Sequence, residues 1–124
     1  MKPTILLTAS NPIARRDVTD VFDRYGYEVL TASDGAEALA LFRENRRIGI
    51  IVADVELGGL MLAREARAMR PDVGVIYTSV APYRVAENAK VSGAPILRVP
   101  YAAQQLVGVA ASLGRRVLAD PLAA

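Results

Sequence analysis

The sequence contains neither cysteine nor histidine. The absence of cysteine excludes disulfides, thiol catalysis and thiolate metal sites. The absence of histidine excludes Ser-His catalysis, phosphohistidine chemistry on this chain and imidazole metal ligands.

No apolar run approaches the roughly 18 residues that a membrane-spanning helix needs. The N-terminal stretch MKPTILLTAS is too short and too strand-like for a signal peptide. We therefore expect a cytoplasmic protein.

Length and charge narrow the class of protein further. The chain has 124 residues, of which 52% are hydrophobic and 23% are charged, and these values fit one globular domain. The net charge is only +2, and the basic residues are thirteen arginines and two lysines. The arginines are spread along predicted helices without stacking aromatics, which favours solvated helix faces over a nucleic-acid surface. We expect neither nucleic acid nor a membrane as a partner.

The most informative stretch is IGIIVADVELGG, residues 48–59. Its first half is an almost unbroken run of aliphatic residues, which is typical of a strand buried on both faces of a parallel sheet. The run ends in Asp54, a glycine pair follows, and a helical pattern then begins. Because open parallel sheets build their sites at the carboxyl ends of strands, Asp54 is the first candidate functional residue.

Apolar runs and turn signals predict five strands that alternate with five helices. The strands are predicted within residues 4–12, 27–35, 48–54, 72–79 and 94–101. This alternation predicts an α/β fold with a doubly wound, five-stranded parallel sheet between two helix layers, flavodoxin-like, in the strand order 2-1-3-4-5. We expect one domain over residues 1–119 and a frayed tail at 120–124.

Capping residues and apolar spacing predict where the helices lie. Asn11 and Pro12 fit the start of the first helix, and Gly26 fits its end. The second helix is expected to have its cap at Ser33 or Asp34. A weak helix is predicted over residues 83–92. The apolar face of the third helix is predicted to be Leu62, Ala66 and Met69, and that of the last helix Ala102, Leu106, Val109, Ala110, Leu113 and Val117.

The other strand ends bring hydroxyls and one potential cation to the pocket around Asp54. The predicted pocket residues are Ala9, Ser10, Asn11, Thr78, Ser79, Arg98 and Val99. Most of them have an ordinary structural alternative. Ser10 and Asn11 also suit helix caps, Thr78 and Ser79 also suit backbone hydrogen bonding at a strand end, and Asp54 also suits a turn.

Four features together resemble a known family. They are Asp54 after a buried strand, the triplet YTS at 77–79, the segment GAPILRVPY at 93–101, and the helix start at Asn11 and Pro12. The chain is similar over nearly its whole length to the receiver (CheY-like) domains of response regulators, and particularly to single-domain receivers of the alphaproteobacterial type. The resemblance implies that a histidine kinase phosphorylates Asp54, and that the Thr78 hydroxyl reorients onto the phosphoryl group.

Several positions depart from the family pattern. The family usually has two acidic residues where this chain has Ala9 and Ser10, and a lysine where it has Val99. Ile96 replaces the aromatic switch residue of the fifth strand. The segment between Asp54 and the end of the third helix also looks about four residues shorter than is usual.

These departures bear on metal binding and on phosphoryl transfer. Mg²⁺ takes oxygen ligands, typically one or two carboxylates, and phosphoryl transfer relies on this ion and on a cation. Asp54 is the only carboxylate that the sequence alone places in the pocket. Arg98 would need a register slip or a bulge to replace the lysine, because neighbours on a strand face opposite sides. We therefore expect a lost or weak Mg²⁺ site and no other cofactor.

The sequence thus predicts a single-domain receiver-like protein of phosphorelay signalling, and not an enzyme or a carrier of an output domain. We expect it to dock to a histidine kinase or another two-component protein, with impaired Mg²⁺-dependent phosphorylation at Asp54. The expected partner surface, which would also serve a homodimer, is formed by the fourth helix, fifth strand and fifth helix, with Tyr83, Ile96 and Tyr101.

Two alternatives remain open. One is a functional receiver that is still phosphorylated on Asp54. The other is a flavodoxin-like binder of a small ligand, in which the loop TASNP holds an anion at a helix N-terminus.

Overall fold

Five parallel strands form one sheet in the order 2-1-3-4-5. The structure is a computed structural model that describes residues 2–119, with side chains described as far as Leu113. The strands are β1 (Thr4–Thr8), β2 (Val29–Ala32), β3 (Ile48–Asp54), β4 (Gly74–Ser79) and β5 (Ile96–Arg98). The predicted fold class and strand order are confirmed. The predicted tail at 120–124 and the side chain of Val117 lie outside the described residues.

Four α-helices cover the two faces of the sheet. They are α1 (Pro12–Arg24), α2 (Gly35–Glu44), α3 (Gly59–Met69) and α4 (Ala103–Ala119). The Asn11 side chain caps α1 by accepting hydrogen bonds from the amides of Ile13 (2.9 Å) and Ala14 (3.2 Å). Asp34, rather than Ser33, caps α2 by accepting from the amide of Glu37 at 2.9 Å. None of the helices in this part of the chain is long and apolar enough to cross a membrane.

The helix predicted over residues 83–92 is not an α-helix. The segment instead contains two short 3₁₀ helices, Pro82–Arg84 and Glu87–Ala89. No residue between positions 80 and 95 is fully buried. A short helix in water needs an apolar face that it can bury, whereas in this segment Val91 is only partly buried against the core. The fifth predicted helix is therefore α4.

The core consists of two apolar clusters, one on each face of the sheet. On one face, α3 contributes Leu62, Ala63 and Ala66, while the predicted core residue Met69 is 41% exposed. On the other face, α4 buries Leu106, Val107 and Ala110, with Val109 and Leu113 partly buried against them and Ala102 exposed. β3 is the central strand, between β1 and β4, so Asp54 at its carboxyl end lies in the middle of the row of strand ends.

Candidate functional site

A cavity of about 510 Å³ opens at the carboxyl ends of β1, β3 and β4. It is lined by polar residues of the strand ends and by apolar residues, including Val18, Val80 and Pro100. Three carboxylates also line it, those of Asp17, Asp54 and Glu56. The prediction that Asp54 is the only carboxylate in the pocket was therefore wrong, because α1 and the loop after β3 each add one.

Asp54 is half-buried and hydrogen-bonded on both carboxylate oxygens. Its Oδ2 accepts from the Thr78 hydroxyl at 3.0 Å, and its Oδ1 accepts from the Glu56 amide at 3.0 Å. The register of β3 with β4 pairs Asp54 with Thr78, which explains why the two side chains meet. The Asp54 amide donates to the Thr8 hydroxyl at 2.8 Å, and that hydroxyl donates to the carbonyl of Val52 at 2.8 Å.

Burial is the largest influence on the Asp54 carboxyl, and it raises the pKa above the ordinary value of 3.8. The hydrogen bond from Thr78 acts in the opposite direction and lowers the pKa. The negative charge of Glu56 raises it further, and the amides of Glu56 and Leu57 lower it. The net result is a carboxyl group that holds its proton more strongly than an exposed aspartate does.

Glu56 is a pocket residue that the sequence analysis did not identify. It lies in a 3₁₀ helix, Val55–Leu57, directly after β3. Its Oε2 accepts from the Ser79 hydroxyl at 2.7 Å, and its Oε1 accepts from the Val80 amide at 2.8 Å. Its position two residues after Asp54, in a loop at the strand ends, is the one sequence signal that could have indicated it.

The structure brings most of the predicted pocket residues together. Ala9, Ser10, Asn11, Thr78 and Val99 line the cavity with Asp54. Ser79 hydrogen-bonds Glu56 and does not itself line the cavity, and neither does Arg98, which is exposed. Arg15 of α1 donates to the carbonyl of Ala9 through Nε at 3.2 Å and Nη2 at 2.7 Å.

The three residues predicted for the partner surface lie in different environments. Tyr83 is 78% exposed, and Ile96 is partly buried against the core. Tyr101 lines the cavity, where burial, followed by the negative charge of Asp54, raises the pKa of its hydroxyl. Tyr101 therefore lies beside Asp54. Whether any of the three contacts a partner stays a prediction.

Within residues 2–119, no group of three or more Asp or Glu side chains is placed to hold a metal ion. The end of β1 contributes Ala9 and Ser10 at the positions where the family resemblance implies acidic residues. The prediction about Mg²⁺ affinity stays a prediction.

Comparisons with known proteins agree with this geometry. No protein-family model matches the chain. The aerobic respiration control protein ArcA of Escherichia coli is 35% identical over 68 residues, which are 52% of this chain and 28% of ArcA. The match thus spans only about a quarter of that relative.

Solved structures match almost the whole chain. A response regulator receiver protein from Sinorhizobium medicae has a TM-score of 0.78 at 26% identity, covering 90% of this chain and 94% of its own. A receiver domain from Clostridium thermocellum has a TM-score of 0.81 at 28% identity, with coverages of 94% and 98%. Fold and strand-end geometry therefore define a CheY-like module. The chain has the fold of the response regulator receiver domains used in two-component signalling, and it is similar to them over nearly its whole length.

Proposed function

We propose that this receiver domain signals by docking to a histidine kinase or another two-component protein in the cytoplasm, with impaired Mg²⁺-dependent phosphorylation at Asp54. We propose no enzymatic activity for it. The observation that supports the impairment most directly is the hydrogen bonding of the pocket. Both oxygens of Asp54 accept hydrogen bonds from the protein itself, and so do both oxygens of Glu56.

Mg²⁺ fits the side chains of this pocket poorly. The ion demands near-octahedral oxygen coordination and is usually bound through one or two carboxylates. Ala9 offers no side-chain oxygen, and Ser10 offers only a neutral hydroxyl. A metal that recruited Glu56 would have to remove it from Ser79 and Val80, which would cost two charge-assisted hydrogen bonds.

The pocket also has an apolar residue where the family resemblance implies a lysine. Val99 lines the cavity there, and the neighbouring Arg98 is exposed and outside the lining. Phosphoryl transfer spreads negative charge over the transferring oxygens, and cations are what stabilise that charge. The missing ammonium group supports the same proposal as the missing carboxylates of β1.

A Mg²⁺ titration followed by ¹⁵N NMR tests the proposal. We expect no saturable shifts of the Asp54 and Thr78 amides at low-millimolar Mg²⁺. The double variant Ala9→Asp, Ser10→Asp restores two carboxylates and should gain Mg²⁺ binding, which Asp54→Asn should then remove. Saturable Mg²⁺ binding by the wild type, abolished by Asp54→Asn, would contradict the proposal.

The second candidate function is a receiver that is phosphorylated on Asp54. One observation favours it: the Thr78 hydroxyl is already 3.0 Å from Oδ2, in register, beside an open cavity. Intact-mass measurement after incubation with acetyl phosphate and Mg²⁺ separates the two functions. A phosphorylated wild type together with an unmodified Asp54→Asn variant would favour this second function.

For docking, we propose the face formed by residues 82–95, β5 and α4. It includes the exposed Tyr83, and a groove of about 620 Å³ lies between residues 87–95 and α4. A homodimer would use the same face. Titration with a kinase should shift the NMR signals of Tyr83 and Ile96, and shifts confined to the opposite edge, at β2, would exclude this face.

A further inference from the structure

The Glu56 carboxylate joins two separate loops of the pocket. Its backbone belongs to the 3₁₀ helix after β3, where its amide donates to Asp54 Oδ1 at 3.0 Å. Its carboxylate reaches the end of β4, where Ser79 Oγ lies at 2.7 Å and the Val80 nitrogen at 2.8 Å. Glu56 therefore connects the two strand ends that carry Asp54 and Thr78.

The hydrogen bonds continue from Glu56 into the connection between β4 and β5. Ser79 Oγ, which donates to Glu56, also accepts from the Ala81 amide at 3.0 Å. Glu56 is thus hydrogen-bonded, directly or through Ser79, to the backbone from Ser79 to Ala81 that follows Thr78. The same backbone leads to Val80 and Tyr83, whose side chains are 57% and 78% exposed.

Two like charges in a half-buried pocket destabilise each other, and the Glu56 charge raises the pKa of Asp54. Within the described residues, no basic side chain forms an ion pair with Asp54 or Glu56. The gain that offsets this repulsion is the pair of hydrogen bonds to Ser79 and Val80.

We propose that Glu56 is a positioning residue that holds the Ser79–Ala81 backbone so that the Thr78 hydroxyl stays on Asp54. Glu56 thereby also sets how Val80 and Tyr83 are presented to a partner. The inference rests on the proposed function only in taking the Asp54 pocket as the working site. In a phosphorylated receiver, the phosphoryl group would control the conformation of the backbone after Thr78. In this chain, Glu56 controls it.

The variants Glu56→Ala and Glu56→Gln test this role. Glu56→Ala removes both hydrogen bonds, so amide exchange at Val80 and Ala81 should become about tenfold faster, the factor expected for a hydrogen bond to a charged group. Glu56→Gln keeps the length of the side chain and an acceptor for the Val80 amide, so it should retain part of the protection. Glu65→Ala is the matched control, because Glu65 is exposed and its carboxylate makes no hydrogen bond or ion pair among the described residues.

The decisive readout is the side-chain rotamer of Thr78, measured by NMR scalar couplings in the same samples. We expect a single rotamer in the wild type and in Glu65→Ala, and averaging over rotamers in Glu56→Ala, with partial rescue in Glu56→Gln. An unchanged Thr78 rotamer in Glu56→Ala would overturn the proposal, even if Val80 and Ala81 exchanged faster. Mg²⁺ binding by the wild type would instead defeat the proposed function and leave this inference standing.

Discussion

The two connections on either side of β4 are built very differently. The connection from β3 to β4, residues 55–73, contains α3, which buries Leu62, Ala63 and Ala66. The connection from β4 to β5, residues 80–95, contains two 3₁₀ helices and no fully buried residue. An α-helix is therefore present in the connection that buries an apolar face. Residues 80–95, none of which is fully buried, form only short 3₁₀ helices.

The first connection is also fixed at both ends. At its start, Gly58 has a φ of 88°, in the left-handed region, and Gly59 packs directly on the backbone of Asp54. At its end, the Arg70 guanidinium donates to the carbonyls of Asn45 (3.1 Å), Ile48 (3.3 Å) and Phe42, and it stacks over the Phe42 ring. The two glycines thus constrain the loop that carries Glu56, and Arg70 fastens the end of α3 to α2 and to the start of β3.

The second connection is fixed by fewer bonds. The Tyr77 hydroxyl accepts a hydrogen bond from the Val91 amide at 3.0 Å, and Glu56 holds the first residues after β4. The backbone between these two points is held mainly by its own turns. The connection after β4 is therefore the less constrained of the two by side-chain hydrogen bonds, and this difference can be tested by substitutions in each connection.

The largest effect is expected from Gly59→Ala in the first connection. A Cβ at this position would lie 2.5 Å from the Asp54 carbonyl oxygen, which is backbone and cannot move aside. Overpacking typically costs about 1–3 kcal/mol, and we expect the upper end of this range. Urea unfolding measures the change in the free energy of unfolding.

Gly108→Ala is the control for this prediction. Gly108 lies in α4, where an added Cβ meets nothing within 4 Å among the described atoms. Because alanine has the higher helix propensity, this variant should be stabilised by up to about 1 kcal/mol. A Gly59→Ala variant as stable as the wild type would mean that the first connection is not fixed at its start.

A smaller and more local effect is expected from Tyr77→Phe. The substitution keeps the buried ring and removes the hydroxyl that accepts from Val91, so it should cost about 1 kcal/mol. Amide exchange should accelerate at Val91 and spare α3. If amide exchange accelerated equally in α3 and at Val91, the two connections would not be constrained separately.

The sheet could be predicted from the sequence because local signals decide it. Aliphatic runs, the cap at Asn11 and the glycines at 26 and 58 act within a few residues of themselves. The helix at residues 83–92 was mispredicted because its formation depends on what it can bury. The exposed Met69 shows the same limit, since an apolar residue at a helix end has no packing partner specified by spacing alone.

The pocket was predicted in outline, through Asp54 and the strand ends, but its connections were not. Glu56 contacts Ser79 and Val80, which are 23 and 24 residues further along the chain. Only the parallel register of β3 and β4 brings these residues together. Arg98 was predicted to line the pocket, and it does lie in the predicted fifth strand. Its side chain is nevertheless exposed and outside the cavity that Val99 lines, because neighbouring residues on a strand face opposite sides.

The effect of Asp54→Asn on the free energy of unfolding should depend on pH. Because burial raises the pKa of Asp54 in the folded protein above 3.8, the folded state favours the protonated carboxyl. Ionised Asp54 therefore contributes less stability at pH 7 than the neutral group does below pH 3.8. Asparagine stays neutral and still accepts from the Glu56 amide, so the variant should be at least as stable as the wild type at pH 7. The change should be no more than about 1–2 kcal/mol, and it should shrink as the pH falls toward 3.8.

Thermal unfolding across this pH range, with exposed Asp20→Asn as the control, measures this change in stability. A clear loss of stability at pH 7 would show that the Asp54 charge itself holds the two strand ends together, and partner binding that depends on this charge would favour the phosphorylated receiver.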